Sequence, residues 1–304
     1  MKRRTLKVLA LGLIASVSIG VFTGCYKKND DKKIGMVVST LNNPFFVSMK
    51  EGAEQKAKEL GYDLVVLDSQ NDPAKERSNV EDLVQLGVTA VLINPTDSDA
   101  VETAVKVANN KNVPVITLDR QSNGGEVACH IASDNIKGGQ MAAEFALDKL
   151  KNKDNILVAE IQGIPGASAT RDRGKGFHDI LDEKSNIKFV SSQAADFDRQ
   201  KGLQVMENII QATPEFDIVF AHNDEMALGA AKALKTVNKD VIIIGFDGND
   251  DAKEAVDKGD MTATVAQQPD LIGSLGVEVS HNIRSGKNVQ KQVAADLKIY
   301  TKDN

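Results

Sequence analysis

The sequence predicts an α/β protein of two similar lobes, each with a parallel sheet. Three observations carry this. Short apolar runs alternate with amphipathic stretches along nearly the whole chain, the pattern of strands joined by crossover helices. The cycle restarts near the middle, and 304 residues suffice for two modest domains with cores of their own. Matching strand ends in the two cycles also carry matching chemistry. In the first, strands end in Ile93-Asn94-Pro95 and Leu118-Asp119-Arg120; in the second, in Phe220-Ala221-His222-Asn223 and Gly245-Phe246-Asp247. Each half places an amide, then a carboxylate, at consecutive strand ends, as two lobes facing across a cleft would.

The elements follow in order. Residues 34–38 read as a buried strand, and Pro44 suits the first turn of the next helix. Phe46, Met49, Ala53, Ala57 and Leu60 recur at helical spacing. Strands are predicted at 64–67, 90–93 and 115–118, with helices from Asp72-Pro73 onward and over 101–107. A short apolar run at 127–131 precedes the restart. Helices are then predicted at 136–150 and 176–181, and Leu203, Met206, Ile209 and Ile210 line one face of another. Strands fall at 156–161, 187–190, 218–220, 241–245 and 262–266. A last helix spans 271–283 and a last strand 297–300.

Residues 1–24 read as a signal peptide: Lys2, Arg3, Arg4 and Lys7 precede an apolar segment over 8–22 that Gly and Ser interrupt. It ends in Phe22-Thr23-Gly24-Cys25, which resembles a bacterial lipoprotein processing signal, although Phe22 stands where Leu is usual. Cys25 is then the expected lipidation site, and a diacylglyceryl group supplies the two chains that stable anchoring needs. Residues 25–33 read as a charged tether. Removing 1–24, with four basic residues and no acidic one, takes the formal charge from −6 to −10. No basic stripe rises from that background, which argues against nucleic acid. The other cysteine, Cys129, sits in an apolar run and reads as a buried thiol.

The strand ends offer Asn43, Asn94, Asp119, Arg120, Arg173, Asn223, Asp247 and Gln267, with Phe45, Phe46 and Phe197. Carboxylates accept, guanidinium groups donate and amides do both, so planar groups meet neighbouring hydroxyls while rings cover C–H faces. This mixture suits an uncharged sugar. Bland readings stand beside it. Asn94 before Pro95 fits a turn, Asp119-Arg120 a surface pair, and Asn223 and Asp198 helix N-caps. One of Phe45 and Phe46 fits the core. Phe197, between two aspartates, has no periodic core role.

Enzyme motifs are missing. Gly163-Ile164-Pro165-Gly166 and Gly138-Gly139 lack the dinucleotide and P-loop patterns. Asp247, Asn249 and Asp251 mimic the start of a calcium loop, but Ala252 and Lys258 occupy its glycine and glutamate positions. The four histidines show no ligand spacing, so neither metal nor cofactor is expected. Asp119 and Asp247 as a glycosidase pair are disfavoured, because Arg partners would keep both ionised.

The motifs together resemble the ribose-binding members of the periplasmic binding proteins that serve bacterial ABC importers. The resemblance runs from Lys33 to the C-terminus. It rests on 39–46 (Ser-Thr-Leu-Asn-Asn-Pro-Phe-Phe), 93–99 (Ile-Asn-Pro-Thr-Asp-Ser-Asp), 118–121 (Leu-Asp-Arg-Gln), 195–199 (Ala-Asp-Phe-Asp-Arg) and 223–229 (Asn-Asp-Glu-Met-Ala-Leu-Gly). It implies two Rossmann-like lobes of the type I architecture, joined by three crossings at Ser133-Asp134, Gln267-Gln268 and Asp296-Leu297. One lobe is then 34–133 plus 268–296, and the other 134–267 plus 297–304.

The polar residues of the strand ends would hydrogen-bond the sugar, with Ser39 assisting, and Phe45, Phe46 and Phe197 would enclose its ring. The implied protein is a monomeric, non-enzymatic D-ribose receptor. It would be lipid-anchored outside the cell membrane and deliver its ligand to an ABC permease. Three alternatives remain. A receptor for another small sugar or polyol would share this pocket chemistry. A sugar-responsive repressor's effector domain shares the fold but needs a helix-turn-helix where the signal peptide stands. A glycosidase would turn over a chromogenic pentoside.

Overall fold

A computed structural model describes residues 32–213 and 215–303. The segment expected to be a signal peptide and the expected lipidation site Cys25 lie outside the described residues. The first cycle comprises β1 (Lys33–Val38), α1 (Pro44–Leu60), β2 (Asp63–Asp68), α2 (Pro73–Gln85), β3 (Val91–Ile93), α3 (Glu102–Asn109), β4 (Val115–Leu118) and β5 (Cys129–Ser133). The second comprises α4 (Asn135–Lys149), β6 (Ile156–Gln162), α5 (Ser168–Leu181), β7 (Ile187–Ala194), α6 (Arg199–Ala212), β8 (Ile218–Ala221), α7 (Asp224–Thr236), β9 (Ile242–Asp247), α8 (Asp250–Lys258) and β10 (Ala263–Ala266). The chain ends with α9 (Pro269–Arg284), β11 (Gln292–Ala295) and β12 (Lys298–Thr301).

Two six-stranded sheets result, ordered β11-β5-β4-β3-β1-β2 and β12-β10-β9-β8-β6-β7. All pairings are parallel except that of β12 with β10. Helices cover both faces of each sheet, so central strands such as β1 and β3 read as unbroken apolar runs rather than alternations. In the first lobe, α1 and α9 pack one face and α2 and α3 the other. In the second, α4 and α5 oppose α6, α7 and α8. Cys129 is buried in β5 with a free thiol.

Two helix starts matter for the site. Asn43 caps α1, its Oδ1 accepting from Phe45 N at 2.9 Å, and Pro44 opens the helix. This aims the Phe45-Phe46 turn at the ends of β1 and β3. The other start is that of α5, pressed tightly on α4. A Cβ on Gly139 would lie 2.2 Å from the Arg173 carbonyl oxygen, and one on Gly176 1.9 Å from that of Ile136. Gly139 and Gly176 therefore serve helix packing, which sets the position of Arg173, while Gly138 makes room for the Phe246 ring.

The structure departs from the periodicity reading in three places. α5 begins at Ser168, well before residue 176. Its first turns bury Ser168, Thr170 and Arg173, so a polar helical face points inward and breaks the apolar pattern. β7 runs on to Ala194 through Ser191, Ser192 and Gln193, since it lies at a sheet edge. β11 is absent from that reading: it is another edge strand, only four residues long, with Gln292 and Ala294 exposed, so the short run Val293-Ala294-Ala295 does not stand out.

Candidate functional site

Ligand sites in open α/β sheets lie beyond the carboxyl ends of the strands. Both sheets here turn those ends toward one cavity. In the first lobe Asn94 ties three strand ends together. Its Oδ1 accepts from Ser39 N (3.2 Å) and Ser39 Oγ (2.7 Å), and its Nδ2 donates to Leu118 O (3.1 Å) and Asp119 Oδ2 (3.3 Å). Asp119, just past β4, has φ 61°, in the left-handed region. Arg120 Nη1 donates to Pro95 O at 3.1 Å. Its guanidinium lies 5.1 Å from the Phe46 ring and 4.9 Å from that of Phe197, which comes from the other lobe.

In the second lobe Arg173 is the hub. Nε donates to Asn135 Oδ1 (2.8 Å), and Nη1 to His222 O (2.6 Å) and Asp247 Oδ1 (3.4 Å). The guanidinium stacks 3.9 Å from the Phe246 ring centre, and Nη2 comes within 3.9 Å of Asp119 Oδ1 across the cleft. Asn223 does two jobs: its Oδ1 caps α7 at Met226 N (3.0 Å), and its Nδ2 holds Phe197 O (3.3 Å). Asp198 caps α6. Phe197 (φ 61°) and Asp247 (φ 124°) join Asp119 in the positive-φ region. Backbone strain of about 1–3 kcal/mol per residue persists only where surroundings enforce it, and it concentrates at ligand clamps.

A small, nearly filled cavity is lined by Asn43, Phe45, Phe46, Asp119, Arg120, Arg173, Phe197, Asn223 and Asp247, with Ala169. Of the sequence candidates, Ser39, Asn94 and Gln267 do not line it. Ser39 and Asn94 brace the first lobe's strand ends. Gln267 Nε2 donates to Asp247 Oδ1 at 2.9 Å from behind. Gln267 also borders a larger, open groove beside the outward face of α1. That groove gathers no aromatic side chain, so the clamp chemistry lies elsewhere.

Burial shapes the electrostatics. It pushes the Asp247 carboxyl well above the usual range; Arg173 opposes the shift, while Asp224 and Asp119 add to it. The expectation that Arg partners keep both carboxylates ionised thus needs correction for Asp247, where desolvation outweighs the cation. Buried Asp119 Oδ1 and Arg120 Nε have no hydrogen-bond partner. Together the groups can grip vicinal hydroxyls from two sides and cover the faces of a ring.

Sequence reasoning missed several contributors. Ala169 lies one helical turn before Arg173, a spacing that marks a shared face. Asn135 follows the Ser133-Asp134 crossing. Behind the Arg173 hub, buried Glu160 Oε1 meets His222 Nε2 at 2.9 Å, and its other oxygen takes Ser192, Gln162 and His178. Behind Arg120, buried Glu76 Oε2 accepts from Thr96 N at 2.7 Å, and burial pushes its carboxyl up to about 7. These four signals are scattered in sequence and meet only in space.

Residues 34–288 match the family model described as the periplasmic binding protein domain. The ribose import binding protein RbsB of Bacillus subtilis (strain 168) is 51% identical over 96% of this chain and 98% of its own length. That of Escherichia coli (strain K12) is 51% identical over 99% of each. Among solved structures, the Caulobacter myo-inositol binding protein bound to myo-inositol superposes with a TM-score of 0.86 at 31% identity, covering 91% of this chain and 95% of that one. With its two α/β lobes and clefted strand ends, the chain belongs to the periplasmic binding protein family.

Proposed function

We propose that this protein is an extracytoplasmic receptor that captures D-ribose between its lobes and delivers it to an ABC importer. The observation that carries this is the pairing of buried polar atoms that lack a hydrogen bond, Asp119 Oδ1 and Arg120 Nε, with the rings of Phe45, Phe46 and Phe197 around one small cavity. Near-full-length identity to ribose import binding proteins supports the choice of sugar. Asn43, Asp119, Arg120, Arg173, Asn223 and Asp247 bind the hydroxyls, and Ser39, Asn94 and Gln267 hold them in place. The protein binds its ligand unchanged and is not an enzyme.

The lobes are 34–133 plus 268–296 and 134–267 plus 297–304, in keeping with sheet membership. Ser133, Asp134, Gln267, Gln268, Asp296 and Leu297 form the hinge. Gln268 Nε2 donates to Asp296 O at 3.1 Å, which links two of the crossings. The protein works as a monomer, tethered through lipidated Cys25.

Calorimetric titration with ribose, allose, arabinose and myo-inositol tests the reading. Ribose is expected to bind tightest. Tighter binding of another sugar would replace the ligand, and turnover of a chromogenic pentoside would replace the class.

A further inference from the structure

We propose that Asp224 is a positioning residue for the ligand-facing carboxylate of Asp247, acting with Thr264 to hold the turn over 247–249. This rests on the ligand reading above. Asp224 opens α7 and is fully buried. Its side chain is not used to cap that helix, because Asn223 already accepts from Met226 N. Instead it reaches the neighbouring strand end. Oδ2 accepts from Asn249 N at 2.8 Å, and Oδ1 accepts from Thr264 Oγ1 at 2.6 Å. The same Thr264 oxygen accepts from Gly248 N at 3.2 Å. Two successive amides of the turn are thus tied to one carboxylate, one directly and one through a hydroxyl.

The turn needs such a tie. Asp247 has φ 124° and Gly248 φ 76°, so a non-glycine residue is held where L side chains rarely go. Gly245 leaves the space the carboxylate uses: a Cβ there would lie 2.3 Å from Asp224 Oδ1. Among the described residues no salt bridge reaches Asp224. Burial, reinforced by Glu225, pushes its carboxyl up to about 7 against the hydrogen bonds from Thr264, Asn249 and Gly248. An acid buried without a cation is a costly feature. Here its partners are the turn's own Asn249 N and, on β10, the Thr264 hydroxyl that takes Gly248 N, at the place where the sequence had only a failed calcium-loop pattern.

A double-mutant cycle separates positioning from simple structural support. Wild type, Asp224→Ala, Asp247→Ala and the double variant are titrated with whichever of ribose, allose, arabinose and myo-inositol the wild type binds tightest. A wrong sugar assignment then shows in the wild type alone, and positioning is read from the ratios. Asp224→Ala should weaken binding about ten- to a hundredfold, and by less than about twofold once Asp247 is already Ala. Asp224→Asn, which keeps an acceptor for Asn249 N, should restore part of the loss. Thr264→Val, which leaves the acid in place, covers the case in which Asp224→Ala does not fold. It should cost about three- to tenfold, again only when Asp247 is present. Unchanged affinity in these variants, or an equal factor in both Asp247 backgrounds, overturns the proposal.

Discussion

The two halves of the cleft present the same functional groups but hold them differently. In the first lobe the support is local: Asn94 joins Ser39 to the end of β4, and Arg120 has one hydrogen bond, to Pro95 O, between two aromatic rings. In the second lobe one cation serves several masters. Arg173 binds Asn135, the His222 carbonyl and Asp247, and stacks on Phe246. A flat ring face tolerates small displacements of the group above it, whereas a fork of hydrogen bonds does not. The second lobe should therefore be the less forgiving half.

Removing each arginine tests that difference most sharply. Arg173→Ala removes three hydrogen bonds and the Phe246 stack together, and at about 1.5–3 kcal/mol for each charged hydrogen bond the affinity should fall more than a hundredfold. Arg120→Ala should cost about 1.5–3 kcal/mol, roughly ten- to a hundredfold. Arg173→Lys should recover little, since an ammonium cannot make the same planar fork. Calorimetry on the three variants gives the order, and an equal loss for Arg120→Ala and Arg173→Ala would erase the contrast.

A smaller effect is expected where the halves touch directly. Ser98 N donates to Gly166 O (3.0 Å), Ser168 N to Ser98 Oγ (3.1 Å) and Gln121 N to Ser168 Oγ (2.9 Å), and both serines are buried. These bonds join the lobes without using cavity-lining groups. Each neutral hydrogen bond contributes about 1 kcal/mol, so the double variant Ser98→Ala/Ser168→Ala should weaken binding by about five- to thirtyfold. Stopped-flow release should carry most of the change, because the contact forms only with the lobes together. A change confined to the association rate would place the contact outside closure.

How far the sequence discloses this arrangement depends on the physical signal at each place. Strands buried on both faces, such as 115–118, stand out because their apolar runs are continuous. The facing amides and carboxylates stand out because Asn94, Asp119, Asn223 and Asp247 each follow such a run. Edge strands do not: the end of β7 is Ser191-Ser192-Gln193, and β11 is a four-residue strand with Gln292 and Ala294 exposed, too short to show a pattern. The start of α5 is hidden for the opposite reason, since it buries Ser168 and Arg173 where periodicity leads one to expect apolar residues. The bracing residues Asn135, Glu160 and Asp224 are harder still. Each is an ordinary polar residue beside a strand or helix end, and only the fold shows what it touches. Asp224 even sits within a recognisable motif, yet nothing in the chain order connects it with the turn at 247–249.

The smallest expected effect tests the Glu160 cluster, where two histidines meet the buried acid, whereas Glu76 behind Arg120 has the Thr96 amide. Burial pushes the Glu160 carboxyl up, but hydrogen bonds from His178 and His222 outweigh this and hold it far below the usual range. The bond to Glu160 in turn raises His178 to about 9, with Asp182 adding to it against desolvation. A histidine whose folded-state pKa lies above its unfolded value of 6.5 stabilises fully below pH 6.5. That contribution disappears as pH rises through about 9. About a third of the His178 side chain is exposed, so solvent screening keeps the effect modest. Thermal unfolding of wild type and His178→Gln at pH 6 and pH 9.5 provides the measurement. The wild type should unfold at the higher temperature at pH 6, and the gap should narrow at pH 9.5. A gap that stays constant or widens with pH would mean that His178 is neutral in the folded protein, and that Glu160 relies on His222, Ser192 and Gln162.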